Sequence, residues 1–267
     1  MTDNLFWIHR DQIYANGLDL GFSVFSPGHI VWLLAIAVMS VIVGSIYVKA
    51  GESGRSNIRK GIGLSMILLD ALKITVMGLF EVRNIEFLPL HLCSVGGLAT
   101  LVYAMWPGKL KLDQLFGYAF FPAALLAIFF PSANMYPWWN FYCIHIFLYH
   151  ALIIFYFVML FMSGEFRPTY SGLLISFAFM AVFAVPIYMI NVRFGVNYMF
   201  IGMRSDVGVL AYLWDNVAMV HGRLAFTLLL GVMFFGVLQV LHVIYLLIDK
   251  MSKTRRGEPI KMKEGET

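Results

Sequence analysis

Seven long apolar blocks, each close to the length that crosses a lipid bilayer, constrain this chain more than any other feature. A transmembrane helix needs about 20 consecutive, mostly apolar residues. Only 13% of the residues are charged, about half the usual share of a soluble domain. The sequence therefore predicts an all-α, polytopic transmembrane bundle of about seven helices. The blocks span residues 29–48, 61–81, 87–106, 114–131, 142–162, 172–192 and 221–248.

The basic residues predict the orientation of this bundle. They are concentrated in alternate loops, and loops rich in lysine and arginine favour the cytoplasm. The sequence thus predicts an extracytoplasmic N-terminal segment (1–28), a transmembrane domain (29–248) and a cytoplasmic basic tail (249–267) in a multi-pass protein of the cell membrane. The net charge of +4 reflects this topology, so we expect no nucleic-acid partner. The residues predicted to be cytoplasmic are Lys49, Arg55, Arg59, Lys60, Lys109, Lys111, Arg167 and the basic residues after Asp249. Arg83 belongs to a loop predicted on the opposite, extracytoplasmic side.

Burying an ionisable residue at membrane depth costs free energy unless the residue is paired, so such residues are candidates for functional sites. Asp70 and Lys73 lie near the middle of the second block, three residues apart and thus on one helical face. The simplest interpretation is a buried ion pair that holds helices in register. The alternative is a charge relay or substrate site of a transporter or sensor.

A cysteine and a histidine lie at similar depths below the same predicted surface. Cys93 is about 9 Å into the third block and His150 about 12 Å into the fifth, at the helical rise of 1.5 Å per residue. A thiol becomes an effective nucleophile when an imidazole takes its proton. The alternative for Cys93 is a small apolar packing residue.

Four other residues are candidates for supporting roles. His91 and His145 are predicted to hydrogen-bond within the bundle, because the helical angles turn them away from a Cys93–His150 pair. Asn197 and Arg204 lie in the sixth loop, where an arginine fork suits phosphate. The same angles argue against a zinc site built from the three histidines. A Cys93–Cys143 disulfide is disfavoured by the difference in depth.

One short run also carries a family resemblance. Leu88–Cys93 (Leu-Pro-Leu-His-Leu-Cys) resembles the signature of the YwaF-type integral membrane proteins, and these are similar to a vertebrate seven-helix family that includes an ether-phospholipid acyltransferase. Tyr149–Ile153, Phe166–Thr169 and Asn197–Met199 agree in order and spacing, over roughly residues 30–248. Val220–Arg223 departs from the expected pattern, which has a Pro-Trp pair there.

The resemblance implies acyl transfer through a thioester, with the cysteine role on Cys93 and the histidine role on His150. The leading hypothesis is therefore a membrane-embedded lipid acyltransferase or lipid hydrolase. Membrane lipids would be both its solvent and its substrate, and its protein partners are unknown. The alternative is a non-enzymatic transporter or sensor that uses Asp70 and Lys73. No motif for a soluble cofactor is present in the sequence, so we expect no cofactor and no metal.

Overall fold

The computed structural model describes residues 5–79, 88–108, 111–205 and 207–255, with side chains as far as Met251. Within these ranges the secondary structure is entirely helical. The helices are α1 (Arg10–Ala15), α2 (Pro27–Lys49), α3 (Glu52–Leu79), α4 (Leu92–Met105), α5 (Leu112–Phe129), α6 (Phe141–Ser163), α7 (Tyr170–Phe194), α8 (residues 208–221) and α9 (Arg223–Arg255).

Six of these helices (α2, α3, α5, α6, α7 and α9) are long and apolar enough to cross a membrane. The chain is thus a multi-pass membrane protein, as predicted. Helix α4 has 14 residues, so it rises about 21 Å, less than the roughly 30 Å of the hydrocarbon core. The third predicted block is therefore a short apolar helix rather than a full span.

Helix α6 lies at the centre of the bundle, where it packs against α2, α3, α4 and α5. Helix α9 is peripheral and largely exposed to the surroundings of the bundle. It continues to Arg255, so the beginning of the predicted polar tail is helical. Residues 256–267 lie outside the described residues, as do Arg83 and Lys109, which contributed to the topology prediction.

Helix α3 begins at Glu52, well before the predicted residue 61. The first predicted cytoplasmic loop therefore shrinks to residues 50–51, and Arg55 and Arg59 lie inside a helix. Hydrogen bonds to the end of the preceding helix explain how α3 can begin so early. Arg55 donates to backbone carbonyls at the end of α2, from Nε to Ala50 O at 3.2 Å and from Nη2 to Val48 O at 2.9 Å.

A buried polar cluster ties α2 and α3 to the connection between α6 and α7. The hydroxyl of Tyr47 donates to Glu165 Oε1 at 2.7 Å. Arg59 donates from Nη1 to the same hydroxyl and lies 3.3 Å from Glu165 Oε2. The side chain of Arg59 is only 7% exposed. Glu165 thus supplies the negative charge that balances a buried guanidinium.

Helix α5 changes its winding around a proline. Residues Phe116–Phe120 form a π-helical turn just before Pro122. Proline lacks an N–H and cannot continue the regular hydrogen-bonding pattern. The Tyr245 hydroxyl from α9 donates to the Gly117 carbonyl at 2.9 Å. A neighbouring helix therefore supplies a side-chain donor to the altered turn, as membrane interiors require.

The N-terminal segment before α2 packs against the loop that precedes α6. Asn140 Nδ2 donates to Leu5 O at 2.9 Å, and Phe22 N–H donates to Asn134 O at 2.8 Å. Next to this bond, a Cβ atom on Gly21 would lie 2.3 Å from the Asn134 oxygen. Only a glycine therefore allows the two backbones to approach this closely.

Gly21→Ala should destabilise this contact, since neither backbone can move cheaply. We expect a loss of about 2 kcal/mol, the typical cost of an overpacked site, seen as a lower apparent Tm in detergent. Gly28→Ala is the matched control, because a Cβ there has no atom within 4 Å. Equal melting of the two variants would contradict this interpretation.

Candidate functional site

Cys93 and His150 are in contact. The Cys93 Sγ lies 3.0 Å from His150 Nε2, between the start of α4 and the middle of α6. Both side chains are half-buried. The two residues are 57 positions apart in the sequence, so packing between α4 and α6 brings them together.

The hydrogen bond that His150 makes through Nδ1 determines which of its two ring nitrogens carries the hydrogen. Its Nδ1 lies 2.7 Å from the backbone oxygen of Ile146. A carbonyl oxygen can only accept, so Nδ1 carries the hydrogen of the neutral ring. Nε2 is then left with its lone pair towards Cys93, and the thiol donates to it. The arrangement matches what a general base for a thiol requires.

The thiol lies in the first turn of a helix. The sequence predicted a helix from residue 87, but α4 begins at Leu92 and His91 is its N-cap. Residues 80–87 lie outside the described residues. The first N–H groups of a helix have no partner within the helix, and their partial positive charge stabilises an anion. These N–H groups can therefore stabilise the negative charge that develops at Cys93 once His150 has taken its proton.

A chain of polar side chains runs beside the thiol pair. Lys73 Nζ lies 3.5 Å from Asp70 Oδ1, and the other oxygen of this carboxylate accepts from the Tyr149 hydroxyl at 2.8 Å. The Tyr149 hydroxyl also packs closely against α4, since a Cβ atom on Gly97 would lie 2.3 Å from its oxygen. The ion pair of α3 is therefore hydrogen-bonded to the residue that precedes His150 in α6.

The other predicted candidates of the bundle have their own partners outside the Cys93–His150 contact. His145 Nε2 is 3.1 Å from Leu69 O, and its ring stacks on Tyr149. The ring of His91 packs against Tyr198, with their centroids 5.0 Å apart. Cys143 is buried, and it and Cys93 are free thiols. In the part of the chain that the structure describes, no three His, Cys, Asp or Glu side chains form a group that could hold a metal.

Asn197 and Arg204 lie in a turn that follows α7. Arg204 binds both carboxylate oxygens of Asp215 in α8 at 2.9 Å, and this pairing lowers the pKa of Asp215. Asn197 Nδ2 donates to the Arg204 backbone oxygen at 3.0 Å. The two predicted candidates therefore hold their own turn to α8, a helix that the sequence analysis did not predict.

The same turn covers the residues before Cys93. Buried Asn191 donates to Tyr198 O at 2.8 Å and to Ile201 O at 2.6 Å, which holds the turn closed. Met199 and Phe200 have φ angles of 56° and 58°, a conformation that is strained for residues other than glycine. The turn is therefore held in shape by α7, and its Tyr198 contacts His91.

Residues 24–236 match the TMEM164 family over most of the chain. The chain belongs to the TMEM164 family. The matched range includes Cys93, His150 and the polar chain from Lys73 to Tyr149. No curated protein and no solved structure matches the chain.

For this member of the TMEM164 family, sequence reasoning missed two parts of the site. It did not single out Tyr149, nor the Ile146 carbonyl that orients His150. Tyr149 is the immediate neighbour of His150, and this adjacency was the available signal. The Ile146 contact follows from the helical spacing of four residues between this carbonyl and His150.

Proposed function

We propose that this protein is a membrane-embedded lipid acyltransferase or lipid hydrolase that forms an acyl-thioester on Cys93. The observation that carries the proposal is the 3.0 Å contact between Cys93 Sγ and His150 Nε2, with Nδ1 anchored on a carbonyl. The resemblance of Leu88–Cys93 to the YwaF-type proteins supports the same chemistry.

The first half of the reaction transfers an acyl group from a lipid ester to the thiol. His150 Nε2 takes the Cys93 proton, and the thiolate attacks the ester carbonyl. The tetrahedral intermediate then breaks its bond to the lipid oxygen, which leaves with the proton from His150. The products are an acyl-thioester on Cys93 and a lysolipid with a free hydroxyl.

The second half of the reaction regenerates the free thiol of Cys93. His150 Nε2 takes a proton from a lysolipid hydroxyl, and the resulting oxygen nucleophile attacks the thioester carbonyl. Cys93 leaves as a thiolate and regains its proton from His150. Water in place of the lysolipid gives hydrolysis instead. The N–H groups at the start of α4, together with His91, are the nearest candidates to stabilise the oxyanion.

The second candidate function, a transporter or sensor, rests on Asp70 and Lys73. The observation that favours it is an ion pair with a 3.5 Å separation within an apolar helix. Asp70 also accepts a hydrogen bond from Tyr149, which suits a fixed structural pair better than a group that exchanges its partner during transport. We therefore place the thiol chemistry first.

Cys93→Ala should lower phospholipid turnover by at least about a hundredfold, because no other group at this position can carry the acyl chain. The assay follows release and re-esterification of labelled acyl chains by purified protein in mixed phospholipid micelles. Cys143→Ala is the matched control, since this second thiol is buried away from the contact. It should retain wild-type turnover. Unchanged turnover in Cys93→Ala would exclude the thioester mechanism.

A further inference from the structure

Lys73 carries a positive charge at membrane depth but donates no hydrogen bond to any residue that the structure describes. Its Nζ lies 3.5 Å from Asp70 Oδ1, which is an ion-pair contact. An ammonium group has three hydrogens to donate, and the Lys73 side chain keeps 20% of its surface exposed. The donors of Lys73 are therefore available to a group that is not part of the chain.

Helices α3 and α4 pack side by side in opposite directions. A Cβ atom on Gly63 would lie 3.1 Å from the Leu101 Cα atom, and a Cβ atom on Gly97 would lie 3.4 Å from the end of the Met66 side chain. Higher residue numbers in α3 thus lie beside lower residue numbers in α4. This antiparallel register can be followed along α3 towards the start of α4.

The register places the ammonium of Lys73 beside the first turn of α4. Lys73 lies two turns after Met66 and thus on the face of α3 that packs against α4. Its backbone lies opposite His91, the N-cap of α4. A helical side chain leans towards the N-terminus of its helix, which in α3 is the direction from His91 towards Cys93. The contact of Nζ with Asp70, one turn earlier, agrees with this direction.

The charge of Lys73 therefore lies close to the thiol site. It interacts electrostatically with Cys93 and with His150. Asp70 is held in turn from α6, because the Tyr149 hydroxyl donates to Oδ2 at 2.8 Å. The fixed carboxylate keeps the ammonium at the depth of the thiol, and a lipid ester carbonyl must reach the same depth when the thiol attacks it.

We infer that Lys73 donates to the oxyanion that forms when Cys93 attacks a lipid ester. In this step the thiolate sulfur bonds to the ester carbon, and an electron pair of the carbonyl double bond moves to the oxygen. A charged donor strengthens the stabilisation of this oxyanion by the N–H groups at the start of α4. The inference rests on the proposed function, but an oxyanion at Cys93 can be tested without lipid turnover.

The test uses a long-chain trifluoromethyl ketone, which has no leaving group. The Cys93 thiolate bonds to the ketone carbon, the ketone oxygen becomes the oxyanion, and His150 keeps the proton. Binding is measured as protection of Cys93 from iodoacetamide in the Cys143→Ala background. The variant is Lys73→Met, and Lys60→Met is the matched control, because Lys60 is an exposed lysine of the same helix.

Lys73→Met should weaken protection by the ketone about a hundredfold, the lower end of the range for the loss of one oxyanion donor. Alkylation without the ketone should change by about threefold at most, because displacement of iodide forms no oxyanion. The kcat for phospholipid turnover should fall about a hundredfold with KM within about threefold. Lys60→Met should match the wild type, and Lys73→Arg should recover a large part of the loss because it keeps a charged donor.

Three results would overturn the inference. The first is an unchanged affinity for the ketone in Lys73→Met. The second is an equal loss in alkylation, which would mean that the cation acts on the thiolate. The third is a raised KM with unchanged kcat, which would mean that Lys73 binds the lipid phosphate. If ketone affinity depends on Lys73 while no variant turns over lipid, the proposed function fails and the oxyanion site stands.

A double variant covers the case in which Lys73→Met does not fold, since that change leaves Asp70 without its counter-charge. Lys73→Met/Asp70→Asn removes both charges and keeps an acceptor for the Tyr149 hydroxyl. It should weaken ketone protection about a hundredfold as well, and it separates the loss of the ammonium from repulsion by a bare carboxylate. Wild-type protection in the folded double variant would contradict the assignment.

Discussion

Replacing His150 by alanine should slow phospholipid turnover by about a thousandfold, within the range expected when a general base is lost. The reason is that His150 Nε2 is the group in contact with the Cys93 thiol. Without it the thiol has no acceptor for its proton, and the departing lipid oxygen has no donor. Alkylation of Cys93 by a thiol reagent should slow as well, because it also needs the first proton transfer, from Cys93 to His150.

His242→Ala is the control for this prediction. His242 is also a histidine in a membrane helix, and its Nδ1 lies 2.5 Å from the Tyr118 hydroxyl. It has no contact with the thiol pair, so its replacement should leave turnover within about twofold of the wild type. A folded His150→Ala protein that keeps more than a tenth of wild-type turnover would exclude the histidine as the base.

Glu165→Ala should cause a large loss of stability. It removes the carboxylate that balances Arg59, whose side chain is 7% exposed. Breaking a buried pair from one side typically costs 3–5 kcal/mol, because the remaining charge has no counter-ion. Glu165 itself is partly exposed, so we expect about 3 kcal/mol, or roughly 5–10 °C in apparent Tm.

The double variant Glu165→Met/Arg59→Met provides the control for the charge argument. It removes both members of the pair, so it should recover a large part of the stability lost in Glu165→Ala. Both proteins are compared by thermal unfolding in the same detergent. If the double variant is no more stable than Glu165→Ala, the loss does not come from the unbalanced charge of Arg59 but from packing or from Arg55, which lies 3.6 Å from Glu165 as well.

The long helices could be predicted from the sequence because hydropathy reports directly on what faces lipid. Helix α6 (Phe141–Ser163) lies within one residue of its predicted block of 142–162 at both ends. The start of α3 could not be predicted in this way. Arg55 and Arg59 can lie in the first turns of α3 because each has a partner. Arg55 is hydrogen-bonded to carbonyls of α2, and Arg59 is paired with the carboxylate of Glu165. Glu165 lies 106 positions from Arg59 in the sequence, and the α2 carbonyls reach Arg55 only because of how the chain turns between α2 and α3.

The candidate site was predictable in its residues but not in its contacts. Similar depth singled out Cys93 and His150, whereas the contact depends on how α4 packs against α6. The late start of α4 was missed because the residues before Leu92 are as apolar as a helix interior. Helix α8 was missed because its apolar stretch is interrupted by Asp215 and Asn216. Tyr149 joins the site through partners on two other helices, which no local pattern indicates.

The most direct test of the central claim is the intact mass of the purified protein after incubation with a phospholipid mixture at mildly acidic pH. The proposed mechanism predicts a fatty-acyl adduct that hydroxylamine removes and that Cys93→Ala lacks, and the added mass identifies the acyl chain. No adduct on the wild type, or an equal adduct on Cys93→Ala, would contradict the thioester mechanism. That result would favour the alternative function, transport or sensing by Asp70 and Lys73.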